Sequence, residues 1–111
     1  MTTSFRPKVT IYYNPLDAAC EKARQVLERI YPFEGFVLEE VDIGQDPVAH
    51  KLHGPHIPVV ALNGVVAFRG RLNEDQFIRR LRSARQEMMR DEEDRQLQAR
   101  GLPPRRRIGR G

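Results

Sequence analysis

The only cysteine of this 111-residue chain, Cys20, lies in the stretch Asn14-Pro15-Leu16-Asp17-Ala18-Ala19-Cys20, three residues beyond a carboxylate. The stretch follows an apolar run and opens an amphipathic one, which predicts a turn joining a strand to a helix. A thiol just inside the first turn of a helix faces unpaired backbone N–H groups and the positive end of the helix dipole, and both favour the thiolate. Asp17 opposes that ionisation. Exchange chemistry at Cys20 therefore depends on which influence prevails and on whether the sulfur can be reached. By residue type, Asp17 is expected to be the helix N-cap and Cys20 a small buried apolar residue beside Ala19 and Ala23. Glutathionylation or an intermolecular disulfide is the alternative for the thiol.

Two other clusters could do chemistry. His50, His53 and His56, taken with Cys20 and Asp17, supply zinc-type ligands, but Gly54-Pro55 interrupts their spacing and no compact zinc motif results. No metal is expected. Arg105-Arg106-Arg107, with Arg100 and Arg110, could grip phosphates, yet no aromatic residue follows Phe77 to stack on bases. A solvated tail fits this composition better than a nucleic-acid surface.

The elements that position these residues follow from periodicity. Lys8-Val9-Thr10-Ile11-Tyr12-Tyr13 is β-branched and aromatic and stops at Asn-Pro, which predicts a first buried strand. From Asp17, Ala19, Ala23, Val26, Leu27 and Ile30 recur at helical spacing against a charged face that includes Lys22 and Arg29, and Pro32 with Gly35 is expected to end that helix. Residues 36 to 43 predict a second strand, parallel to the first through a right-handed crossover. A short helical segment over 47 to 53 should stop at Gly54-Pro55. Two apolar runs then meet at Asn63-Gly64, a strong hairpin signal, with Pro58 opening the third strand and Gly70 ending the fourth. Asn73 is expected to cap a last helix that buries Phe77, Ile78 and Leu81. That helix should continue into the nineties, through Met88 and Met89, and fray before Gly101-Leu102-Pro103-Pro104.

Composition narrows the class. The formal net charge is +4, and the excess lies after residue 84, where 8 arginines face 5 acids. The chain divides into a domain over 1–84 and a charged helical extension with an Arg-rich tail over 85–111. No apolar run approaches the length of a membrane span, and Met1–Lys8 carries no apolar segment of the secretory kind. A lone thiol suits a reducing cytoplasm. The methionines of the extension suit a cover over the domain or contact with a second copy, so a homo-oligomer through the extension is an open expectation.

The order β-α-β-α-β-β-α resembles the thioredoxin-like superfamily and, within it, a small glutaredoxin-like family. The resemblance covers roughly residues 7 to 82. It rests on Val9-Thr10-Ile11-Tyr12 before Pro15, Leu38-Glu39-Glu40-Val41-Asp42-Ile43 before Asp46-Pro47, Ile57-Pro58-Val59-Val60 before Asn63-Gly64, and Gly70-Arg71. It implies an α/β fold with a four-stranded mixed sheet flanked by helices, and thiol–disulfide oxidoreduction as the activity if the protein is an enzyme. In that family a Cys-x-x-Cys turn supplies the attacking and resolving thiols. Aligned on Pro15, Asp17 takes the place of the attacker and Cys20 that of the resolver, a degenerate motif without the sulfur that begins exchange. A proline entering a strand is usually trans, since only about 5 to 6% of X-Pro bonds in folded proteins are cis, but the resemblance implies a cis bond before Pro58. The ligand site it implies is formed by Pro15, Ile57 and Pro58 and would take a protein segment or a glutathione-like peptide, with glutathione the one cofactor to consider. The sequence thus predicts a binding or interaction module, with redox chemistry by Cys20 alone or nucleic-acid contact by the tail as alternatives.

Overall fold

A computed structural model describes residues 5–102 of the chain. Its elements are strand β1 (Lys8–Tyr13), helix α1 (Ala18–Glu34), strand β2 (Val37–Asp42), helix α2 (Pro47–His53), a single 3₁₀ turn (Gly54–His56), strands β3 (Val59–Leu62) and β4 (Val65–Arg69), and helix α3 (Glu74–Ala99). The four strands form one sheet in the order β2-β1-β3-β4. β1 runs parallel to β2 and antiparallel to β3, and β3 is antiparallel to β4. The α/β fold with a mixed four-stranded sheet is the one expected.

Local chemistry explains most boundaries. Asp46 Oδ1 accepts from the backbone N–H groups of Val48 and Ala49 at 3.1 and 3.0 Å, which starts α2. Asn73 Oδ1 accepts from Gln76 N at 2.9 Å and starts α3. At the hairpin tip Asn63 and Gly64 both take positive φ, 50° and 85°, as a two-residue turn of this kind requires. The Asn63 side chain also accepts from Lys8 N at 2.9 Å, so the hairpin tip is tied to the start of β1.

Two helix ends differ in part from the sequence reading. α1 passes through Pro32 and ends at Gly35, whose φ is 67°. A proline in the last turn costs one N–H bond, here to the carbonyl of exposed Glu28, and leaves the rest of the ladder intact. α3 does not fray: Gly101 has φ 78°, its N–H reaches Gln98 O at 3.0 Å, and Leu102 N–H reaches Leu97 O at 2.8 Å, a glycine-terminated cap. α3 runs unbroken past residue 84 and into the nineties, as the sequence reading expects. The Arg-rich tail beyond Pro103 lies outside the described residues.

The core forms where α1 and α3 cover one face of the sheet. Val9, Ile11, Val60 and Leu62 meet Ala23, Leu27 and Ile30 from α1 and Phe77 and Leu81 from α3. Phe36, placed in the second strand by sequence, precedes it and is buried edge-on against Phe77, with ring centres 5.7 Å apart. Ala19 is the clear miss among expected core residues. It is exposed, and the buried stripe of α1 is instead Cys20, Ala23, Leu27 and Ile30. No element packs over Ala19, because a groove opens there between α1 and the segment after β4.

Candidate functional site

The site begins where β1 ends. Asn14 organises the turn twice: its side chain accepts from Leu16 N at 2.9 Å, and its carbonyl accepts from Asp17 N at 3.0 Å. These bonds hold Asp17 in extended backbone, φ −94° and ψ 126°, from which its carboxylate turns back to accept from Cys20 N at 3.0 Å. The expected N-cap is therefore present. Pro15 and Leu16 stand out into solvent, Leu16 at 93% exposure.

Cys20 points the other way and is fully buried. Burial is the largest influence on its thiol and pushes the pKa above the ordinary cysteine value. The backbone of Asn14 pulls it down, while Asp17 adds to the rise through both its charge and its hydrogen bond. The influences that raise the thiol therefore outweigh those that lower it, and the sulfur is shielded.

The opposite wall comes from the start of β3. The antiparallel pairing of β1 with β3 places Tyr12 opposite Val59, so the turn after β1 and the Ile57–Pro58 segment lie at the same end of the sheet on neighbouring strands. The Ile57–Pro58 peptide bond is cis, Pro58 is buried and Ile57 half-buried. Pro58 O accepts from Gly70 N at 2.8 Å, which fastens the segment after β4 to this wall. Pro15, Asp17, Cys20, Ile57 and Pro58 thus belong to one end of the molecule, as the sequence reading requires.

The histidines are not brought together as a set. His53 lies against Tyr12, with ring centres 4.2 Å apart, while His50 and His56 are exposed. Among the described residues, no group of three or more His, Cys, Asp or Glu side chains is placed to hold a metal ion. No helix among them is long and apolar enough to cross a membrane.

The sequence reading missed the groove itself. It has a volume of about 620 Å³ and runs along α1 from Ala19 to Arg29, walled on the far side by Gly70, Arg71 and Leu72. Lys22 looked like one more charge on a wet helical face, and Arg71 like a loop residue. Nothing in the sequence pairs these two cations, since they lie on segments far apart in the chain.

The sheet order and the helices that cover it define a thioredoxin-like protein, and comparison with solved structures agrees. A mutant thioredoxin from Halobacterium salinarum NRC-1 superposes with a TM-score of 0.59 at 16% identity, covering 70% of this chain and 74% of that one. The likeness is one of fold. Residues 8–82 match the model of the Glutaredoxin-like domain (DUF836) family, and the chain belongs to that family. No curated protein matches the sequence.

Proposed function

We propose that this protein is a binding module on a glutaredoxin scaffold, one that holds an extended peptide, glutathione-like or protein-borne, against Ile57 and Pro58 without reducing a disulfide. The observation that carries this reading is the division of labour in the turn. The residue that would need to be an exposed thiol is Asp17, engaged as a helix cap at 3.0 Å from Cys20 N, and the one thiol is fully buried. Exchange needs a thiolate that approaches its target disulfide in line. Neither Asp17 nor Cys20 supplies one. The facing wall remains suited to recognition, since Ile57 and Pro58 lie beyond the last β1–β3 pair, Tyr12 with Val59. A single shielded thiol also suits a reducing cytoplasm.

The test is a pair of assays on the full chain and on Asp17→Cys. The native protein is expected to react with iodoacetamide far more slowly than a small free thiol at neutral pH, and to turn over no glutathione mixed disulfide. Asp17→Cys is expected to gain disulfide reductase activity: its two thiols are oxidised to a disulfide as the substrate disulfide is reduced to two thiols. Rapid native alkylation combined with turnover by Cys20 alone would overturn the reading in favour of a one-thiol redox protein.

A further inference from the structure

We propose that the groove beside α1 is a carboxylate clamp, with Lys22 and Arg71 as its two jaws, and that its occupant is an acidic extended segment of a partner protein. The inference rests on the binding reading above and gives it a partner class. The apolar part of the groove lining is Ala19, Ala23, Val26 and Leu72, and the lining contains no carboxylate. Arg29, at the far end, is matched by Glu74. Lys22 and Arg71 have no ion-pair partner among the described residues, and they line the same cleft. Two uncompensated cations beside an apolar lining attract a chain that carries carboxylates and can lay small or apolar side chains between them.

The acids of this helix are turned away from the groove. Glu21 and Glu28 are held by Arg24 at 2.9 and 3.3 Å, on a different face of α1 from Lys22. The clamp is also continuous with the peptide-binding wall. Gly70, which precedes Arg71, donates to Pro58 O at 2.8 Å, so a chain leaving Ile57 and Pro58 meets Arg71 next. Length decides what kind of ligand fits. From Ala19 to Arg29 the helix rises about 15 Å, and an extended chain covers that distance with about four or five residues. A tripeptide spans only about 10 Å. A protein segment with carboxylates on both sides of a short apolar stretch fills the groove; glutathione leaves one end of it empty.

Fluorescence anisotropy with two labelled peptides tests the assignment. One is alanine-rich with interspersed glutamates, and its twin carries glutamines in their place. The glutamate peptide is expected to bind the full chain, to weaken as salt is raised, and to bind more tightly than the glutamine twin. Lys22→Glu and Arg71→Glu should each weaken it by about three- to tenfold, the range expected when an exposed ion pair is inverted in sign. Arg79→Glu and Arg90→Glu make the same change in net charge on exposed parts of α3 outside the groove and should leave binding unchanged.

Equal binding of the twins overturns the clamp while leaving the binding reading intact. Binding by neither peptide overturns both. Equal weakening by the α3 reversals would show an effect of overall charge and overturns the clamp. Glutathione displacing the glutamate peptide, with the same dependence on Lys22 and Arg71, overturns the choice of occupant.

Discussion

The two walls of the site are built in opposite ways. In the turn between β1 and α1 the polar groups serve the chain: Asn14 closes the turn, Asp17 caps the helix, and Cys20 packs into the core. On the β3–β4 side the chain is fastened by one backbone bond, from Gly70 to Pro58, and beyond it Arg71 is exposed and faces a cleft. The turn spends its chemistry on folding, whereas Arg71, like Lys22 further along α1, keeps an exposed charge. On the proposed binding reading, the turn is given over to local structure while the neighbouring segment serves recognition, a separation that is open to the chain because the two walls come from different segments.

That contrast can be broken, first by asking whether the walls share one support. Leu27 is fully buried between α1 and the sheet. Leu27→Ala should cost about 2 to 5 kcal/mol in urea unfolding and lower binding at the second wall together with order at the first. A loss well under that range would mean that the walls are supported separately. The contrast sharpens at Asp17. Asp17→Ala removes the cap at a cost of about 1 kcal/mol, and it also removes the two contributions by which Asp17 raises the Cys20 thiol. The pH profile of Cys20 alkylation should therefore move to lower pH in the variant. An unmoved profile would leave burial and the Asn14 backbone as the only influences.

The smallest effect concerns the buried thiol alone. Its pKa is raised in the folded chain by burial, above the roughly 8.5 of an unfolded cysteine. The unfolded chain then loses its proton first, so stability is fully present below that pH and declines as pH rises toward the folded value. Cys20→Ala should remove this decline between neutral and alkaline pH, whatever it does to absolute stability. A parent and variant with parallel pH dependence would show that Cys20 titrates alike in both states.

Much of this was legible beforehand. Asp17 and Asn73 each cap a helix through contacts within three residues, and Asn63-Gly64 closes its hairpin by its own backbone preference. Such features are fixed by residues close in sequence, and reading them needs no knowledge of what lies opposite. Pro32 misled because its cost depends on where in the helix it falls, and in the last turn that cost is one bond.

By itself the sequence determined the order of elements, most of the apolar faces and the absence of a second thiol, since residue type and spacing carry all three. Only the tertiary structure decided that Cys20 turns inward while Ala19 turns out. The two are neighbours of similar size on one helix, and what separates them is the position of the segment after β4. The same packing brought Lys22 and Arg71 to the two sides of one groove. Their 48 intervening residues include three strands and a helix, and charge alone, without that fold, says nothing about which cations will share a ligand.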